Sequence, residues 1–347
     1  MSLGLCAPRE HYPAWLPSQI EASLESGDEL LARCHDSHQL GLLSSAIQHF
    51  GMEPLLSDEQ LETVKRINIA NDVLNAALIS CYDELAFVAT RLQVRPIPLK
   101  GLSTAGFYME FAGRPMRDID LLVDRNHALS MKTVALGLGF TESSPAAPID
   151  FENNYELPQL SKVVSIRADA KLGPCLEEAG IAFYHNSPNT FAITTLLEIH
   201  FDLELSGRIP VQLESDENRL SATSELFYLM YKLYVDAVIL NKLKAIKLLG
   251  DIIRLVDRRG PFIDWALLNE WSAATNSVGL VTNVMWHLVH TFGLGAVEGG
   301  LEQSLKLRAG RNDLYFGDLI GRLVANRSPR YLVLGRTGNK IGVRHHV

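Results

Sequence analysis

Cysteine is scarce in this chain: four in 347 residues, at positions 6, 34, 81 and 175. None falls at the short spacings of a zinc ligand set, and so few thiols cannot staple a chain of this length. A disulfide framework and a structural zinc site are both excluded, and reduced thiols are expected. Excess positive charge is also missing, since 32 Lys and Arg stand against 40 Asp and Glu, a formal charge of -8. That balance does not suit a broad polyanion-binding surface, which argues against nucleic acid as a partner but leaves room for a local basic cleft. No stretch of about 18 residues reads as a membrane span. The candidate at 233–256 is interrupted by Asp236, Lys242, Lys244, Lys247, Asp251 and Arg254. The first residues have neither the basic nor the apolar stretch of a secretory leader. Repeats and low-complexity segments are lacking too. The expectation is a cytoplasmic globular protein with no membrane partner.

What remains is ample for folding. With 47% hydrophobic and 21% charged residues, the chain can bury a substantial core, and its length suits about two domains. Residues 1–93 read as helical. The strongest helix opens at Ser57, where Ser57-Asp-Glu-Gln60 fits a capping box, and Leu61, Val64, Ile67, Val73, Leu74 and Leu78 follow at helical spacing. Gly51 is a helix stop. From Val94 the pattern changes. Short strands are expected at 94–99, 118–123 and 162–166, a longer one at 190–205, and helices at 127–138 and 169–180. From about 216 the helical period returns, with helices at 224–240, 241–258, 264–275, 278–292, 299–307 and 311–325. A basic tail, 327–347, closes the chain. The expected fold is α+β: a small mixed-sheet core over 94–215 between an N-terminal helical region, 1–93, and a C-terminal helical domain, 216–326.

Three segments carry chemistry. In Arg114-Pro-Met-Arg-Asp118-Ile-Asp120-Leu-Leu-Val, strand alternation sends Asp118 and Asp120 to one face. Two carboxylates that close repel each other unless a cation sits between them, and a hard divalent ion such as Mg²⁺ suits oxygen ligands and substrate phosphates. A solvated strand end gives the same pattern. In Leu99-Lys100-Gly101-Leu-Ser103-Thr104, a strand ends in a lysine, then a glycine turn opens a helix. Backbone N–H groups and the lysine would seat a phosphate there, although a βα turn with a surface lysine reads alike. In Leu197-Glu198-Ile-His200-Phe-Asp202, Glu198, His200 and Asp202 share one strand face. A carboxylate there could complete a metal site or take a proton from an attacking hydroxyl, and a solvent-facing strand side is the plain alternative.

In this order the segments resemble the bacterial uncharacterised nucleotidyltransferase family of the DNA polymerase β-like superfamily. The likeness spans roughly 40–270 and includes the helix leading into Pro98-Leu-Lys-Gly101 and the stretch Leu243-Lys-Ala-Ile-Lys-Leu-Leu-Gly-Asp251-Ile-Ile-Arg-Leu. Asp118-Ile-Asp120 with the preceding Arg114-Pro-Met is its specific part. The resemblance implies that Asp118, Asp120 and Glu198 hold Mg²⁺, as two ions, with Asp202 a rival for the third carboxylate. It implies that Lys100, Gly101, Ser103 and Arg114 bind the nucleotide's phosphates, with His200, Asp202 and Asp251 as supporting or acceptor-side residues. The implied reaction moves a nucleoside monophosphate, AMP from ATP by abundance, to a hydroxyl of a small molecule, peptide or protein and releases pyrophosphate. A γ-phosphoryl transferase in the same pocket and an inactive nucleotide-binding protein are the alternatives. Two further features read as plain structure: Lys242, Lys244 and Lys247 as a solvated helix face, and Trp265, Trp271 and Trp286 as core.

Overall fold

A computed structural model describes residues 2–24, 27–108, 113–142, 151–152, 154–187, 189–203, 211–214, 219–240, 242 and 245–308. The expected helix at 311–325 and the basic tail lie outside these residues. The architecture is α+β, with one six-stranded mixed sheet set between helical regions.

Four helices come first: α1 (Ser2–Leu5), α2 (Leu16–Leu24), α3 (Gly27–Asp36) and α4 (Leu40–Phe50). The fourth stops at Gly51 in the left-handed conformation, φ 66°, which glycine adopts without a Cβ clash. The long helix α5 (Asp58–Arg91) starts as its sequence requires: Ser57 accepts from the Gln60 N–H and the Gln60 side chain accepts from the Ser57 N–H. It is the one described helix long and apolar enough to cross a membrane by length and composition alone. Instead it buries eleven side chains against the sheet and neighbouring helices, Asn71 and Asn75 among them.

The sheet is built from β1 (Ile97–Pro98), β2 (Asp118–Leu122), β3 (Thr141–Glu142), β4 (Leu160–Arg167), β5 (Phe183–Ser187) and β6 (Thr190–His200). Its order is β1-β2-β6-β4-β3, with β5 also on β6. Strand β6 is the spine. Antiparallel β4 runs along one side, while β5 and parallel β2 share the other. Parallel pairing needs a crossover, and here the chain between β2 and β6 includes α7 (Ala128–Gly137) and α8 (Leu172–Glu178). The expected strand at 190–205 ends at His200, and the hairpin partner β5 was hidden because its residues are mostly exposed and polar.

Alternation along β6 sorts its side chains. Phe191, Ile193, Leu197 and Ile199 join a first core with α5 and α7. Leu196, Glu198 and His200 take the opposite face. Over that face lie α6 (Lys100–Thr104), α9 (Ala222–Tyr234) and α10 (Ile246–Arg259); α9 and α10 with α11 (Trp265–Ala274), α12 (Val278–His290) and α13 (Glu298–Arg308) form a second core. Ile97, Leu99 and Leu122 of the sheet side belong to this second core. All four cysteines are buried free thiols, as expected. Trp265 and Trp271 pack against the second core, but Trp286 is 46% exposed and is not core.

Candidate active site

Register decides which acidic groups meet. Strands β2 and β6 run parallel with Asp118 opposite Leu196, Asp120 opposite Glu198 and Leu122 opposite His200. The side chains at Asp118, Asp120, Glu198 and His200 therefore emerge on one face, away from the first core. They floor a cleft of about 600 Å³, within the 300–1,000 Å³ range usual for small-ligand sites.

The start of α6, just past β1, supplies the cation. The Leu99 N–H donates to the Asp120 carbonyl at 3.0 Å, which fixes the chain beside β2. Lys100 follows with φ 49°, a left-handed conformation that costs a non-glycine residue about 1 kcal/mol. Its ammonium lies 2.5 Å from Asp120 Oδ1 and 3.8 Å from Glu198 Oε2. Gly101 is demanded by packing, because a Cβ there would sit 2.9 Å from Met116 Cγ.

Histidine 200 completes the floor. Its Nε2 is 3.2 Å from Asp120 Oδ1 and 3.7 Å from Glu198 Oε2, and its Nδ1 is 3.2 Å from Glu156 Oε2. Gln159 donates to Glu198 Oε1 at 3.1 Å. The atoms that Asp120, Glu198 and His200 could offer to a metal ion all lie within 4.8 Å of one another. Asp118 lines the same cleft two residues before Asp120.

These neighbours set the protonation. Burial alone would raise Asp120, yet the Lys100 charge and the His200 contact hold its carboxyl well below the usual carboxylate range. Burial, followed by the negative charge of Asp120, pushes Glu198 up to about 8. Burial opposes the charged form of Lys100, and Tyr228, Asp120 and Glu198 outweigh it, so the ammonium stays protonated well above its ordinary value. The floor holds more negative charge than one lysine balances, a setting in which a divalent cation is favoured.

Opposite stands a cationic wall. Arg117, Lys232, Lys242 and Lys247 line the cleft with Lys100 and Arg114. The five residues after Tyr234, Val235–Ile239, form a π-helical turn in which the Leu240 N–H donates to the Val235 carbonyl at 2.9 Å. Its Asp236 holds Lys232 at 3.3 Å and Lys242 at 3.6 Å. Lys247 sits on α10 with burial, then the Arg114 charge, lowering its ammonium to about 8. The solvated-face reading is corrected for Lys247, which is withdrawn from solvent in the cleft, while Lys242 lines the cleft and remains 53% exposed. Lys244 lies outside the described residues. Lys232, Arg117, Glu156 and Asp236 went unread in the sequence, because polar residues on an amphipathic helix or loop carry no mark of which cavity they face.

Of the sequence candidates, Lys100, Gly101, Arg114, Asp118, Asp120, Glu198 and His200 converge on this cleft. Three do not line it. The Ser103 hydroxyl is engaged by Glu225 and lies 3.0 Å from the Lys100 carbonyl. Asp202 lies beyond the end of β6, where its carboxylate accepts from the Leu203 N–H at 2.7 Å and faces Arg125 at 3.9 Å. Asp251 is fully buried behind the cleft, pairing with Arg114 Nε and Nη2, both at 2.7 Å. Arg114 is thus held as a fixed charge, its carbonyl bonded to Asn75 of α5 at 3.0 Å and the Met116 N–H given to the same Asn75 side chain at 2.9 Å.

Acidic residues on neighbouring strand positions, a βα turn with a lysine and a polyanion-sized cleft are together what the family resemblance requires. Neither the curated proteins nor the solved structures give a significant match. The profile of the family described as "Uncharacterised nucleotidyltransferase" matches residues 25–293, a span that contains the whole sheet, the cleft floor and the cationic wall. The chain belongs to the uncharacterised nucleotidyltransferase family.

Proposed function

We propose that the cleft transfers a nucleotidyl group from a nucleoside triphosphate, ATP in this reading, to a hydroxyl of a small-molecule, peptide or protein acceptor. The single observation that carries this reading is the register of β2 on β6, which sets Asp120 beside Glu198 with Asp118 on the same face, beneath a wall of lysines. A floor of carboxylates facing a rim of ammonium groups suits a ligand with a polyphosphate tail and bridging cations.

The acceptor oxygen attacks the α-phosphorus, the bond from that phosphorus to the bridging oxygen breaks, and pyrophosphate leaves with the electron pair. Asp118, Asp120 and Glu198 are assigned to hold divalent ions, two in number, and Mg²⁺ is the default. Such ions, when bound, supply charge neutralisation and polarisation at phosphorus. Glu198, beside Asp120 on the cleft floor, is also the carboxylate assigned to receive the acceptor proton. Lys232, Lys242 and Lys247 are assigned to the β- and γ-phosphates, and Lys100 to the phosphate nearest the floor. Arg114, locked by Asp251, contributes a charge that needs no reorganisation during reaction. Ser103 is assigned no direct phosphate contact, and of the rival third carboxylates Glu198 is preferred to Asp202.

The test uses each nucleoside triphosphate labelled at the α-phosphate and, in a parallel reaction, at the γ-phosphate, with divalent ion and a cell extract as acceptor source. Label passing to an acceptor from the native chain, but not from Asp118→Asn or Asp120→Asn, supports nucleotidyl transfer and gives the acceptor's size class. Label passing only from the γ-phosphate means phosphoryl transfer in the same pocket. No transfer of either label and no nucleotide binding removes the enzymatic reading.

A further inference from the structure

His200 is the floor residue whose chemistry a purely carboxylate site leaves unused, and several contacts fix its ring. Its carbonyl accepts from the Val123 N–H at 2.9 Å, and its backbone bridges to Glu156. The Tyr155 ring stacks on it at 5.8 Å and 19°. Glu156 Oε2 lies 3.2 Å from Nδ1, while Nε2 is aimed between Asp120 Oδ1 and Glu198 Oε2. The residue is 3% exposed.

With the Nδ1–H given to Glu156, Nε2 can offer its lone pair to a cation seated between Asp120 and Glu198, beside the Lys100 ammonium at 2.5 and 3.8 Å from these carboxylates. A carboxylate holding one imidazole nitrogen while the other points at a ligand set is the usual support of a metal-binding histidine. The donor set is then two oxygens and one nitrogen. Mg²⁺ prefers oxygen and water, whereas imidazole suits first-row transition ions. We infer that Asp120, Glu198 and His200 form a mixed nitrogen–oxygen site that selects a first-row transition ion over Mg²⁺, with Glu156 as the positioning residue for His200. This rests on the metal-binding part of the proposed function and goes beyond it in naming the ligand nitrogen and the class of ion.

The test uses the full chain without nucleotide. Co²⁺ and Mg²⁺ affinities are measured by calorimetric competition, and pulsed paramagnetic resonance on the Mn²⁺-loaded chain reads nitrogen coupling. The expected result is a histidine nitrogen signal in the native chain and its loss in His200→Asn. The Co²⁺ over Mg²⁺ preference should fall by about tenfold or more in that variant. Glu156→Gln, a near-isosteric change at a half-buried position, should weaken Co²⁺ by about tenfold to a hundredfold with little change for Mg²⁺. Absence of nitrogen coupling in the native chain, or a Co²⁺ to Mg²⁺ ratio unmoved by both variants, overturns the inference and leaves His200 as a hydrogen-bond donor to Asp120. Nitrogen coupling without any label transfer keeps the inference and removes the proposed reaction. Transfer with Mg²⁺ favoured and no coupling does the reverse.

Discussion

Two ion pairs lie near each other beneath the same cleft and are built for opposite ends. In Arg114–Asp251 both partners are buried, and the aspartate is saturated: Arg114 reaches both oxygens, while Tyr108 and Thr104 add contacts at 2.8 and 2.9 Å. In Lys100–Asp120 the aspartate is shared among Lys100, His200 and the close carboxylate of Glu198, and its lysine stays 14% exposed to the cleft. A planar guanidinium clamped on both carboxylate oxygens has one geometry, whereas a lysine holds an oxygen as a point charge that another cation can replace. The first pair fixes the floor, and the second is available to ligands.

The sharpest way to break this contrast is Asp120→Asn against Asp251→Asn. Asp120→Asn removes the negative charge that meets Lys100 and His200, and label transfer should fall roughly a thousandfold. The unfolding midpoint should fall less than in Asp251→Asn, because Lys100 keeps Glu198 at 3.8 Å and some access to the cleft. Asp251→Asn leaves Arg114 buried without its counter-charge and should cost about 3–5 kcal/mol in denaturant unfolding. If the two variants lose activity and stability in the same proportion, the division between a clamped and an exchangeable pair is wrong.

A third substitution separates the wall from the floor. Lys247 has no ion pair within 4.0 Å among the described residues, and burial with the Arg114 charge lowers it to about 8. Its ammonium is therefore present at pH 7, and nucleotide affinity should decline as pH rises through 8. Lys247→Met should weaken nucleotide binding by about tenfold at pH 7, the worth of one charge-assisted contact, and flatten that decline. The stability sign is opposite. A lysine whose folded pKa lies below its unfolded value opposes folding at neutral pH, and that opposition is relieved as pH rises toward 10.5. The variant should thus unfold no more readily than the native chain at pH 7. Isothermal titration across pH 6.5–9.5 (roughly 1.5 units either side of the shifted value) checks the first claim and thermal melts check the second.

The two pairs also differ in how far the sequence discloses them. Asp118 and Asp120 declare themselves by strand period, Glu198 and His200 do the same four strands later, and Ser57 with Gln60 announces α5. Each is a local pattern with a fixed spacing. What spacing cannot carry is the parallel register that sets Asp120 opposite Glu198 but leaves Asp202 beyond the strand end, since a shift of two residues keeps every side chain on its face. The link from Arg114 to Asp251 crosses 137 residues, and nothing near Asp251 distinguishes a counter-charge from a cleft residue. Lys247 reads as surface because its helix is amphipathic, and only the position of α10 over the sheet turns its polar side inward.

Thr104 joins the two pairs and gives the smallest effect. Its hydroxyl lies 2.9 Å from Asp251 Oδ1 and 3.0 Å from the Lys100 carbonyl, and a single proton can serve only one of them at a time. If Asp251 is saturated, removing this donor leaves it Tyr108 and both Arg114 contacts, so Thr104→Val should cost about 1 kcal/mol in stability. The Lys100 carbonyl keeps the Ser103 hydroxyl at 3.0 Å, so the left-handed turn that aims the ammonium at Asp120 should hold. Label transfer should then stay within about twofold of the native rate, the span of a few tenths of a kcal/mol in barrier. A large drop in transfer at a small cost in stability would mean that the threonine positions Lys100 through α6, and that the clamped pair and the exchangeable pair act as one unit.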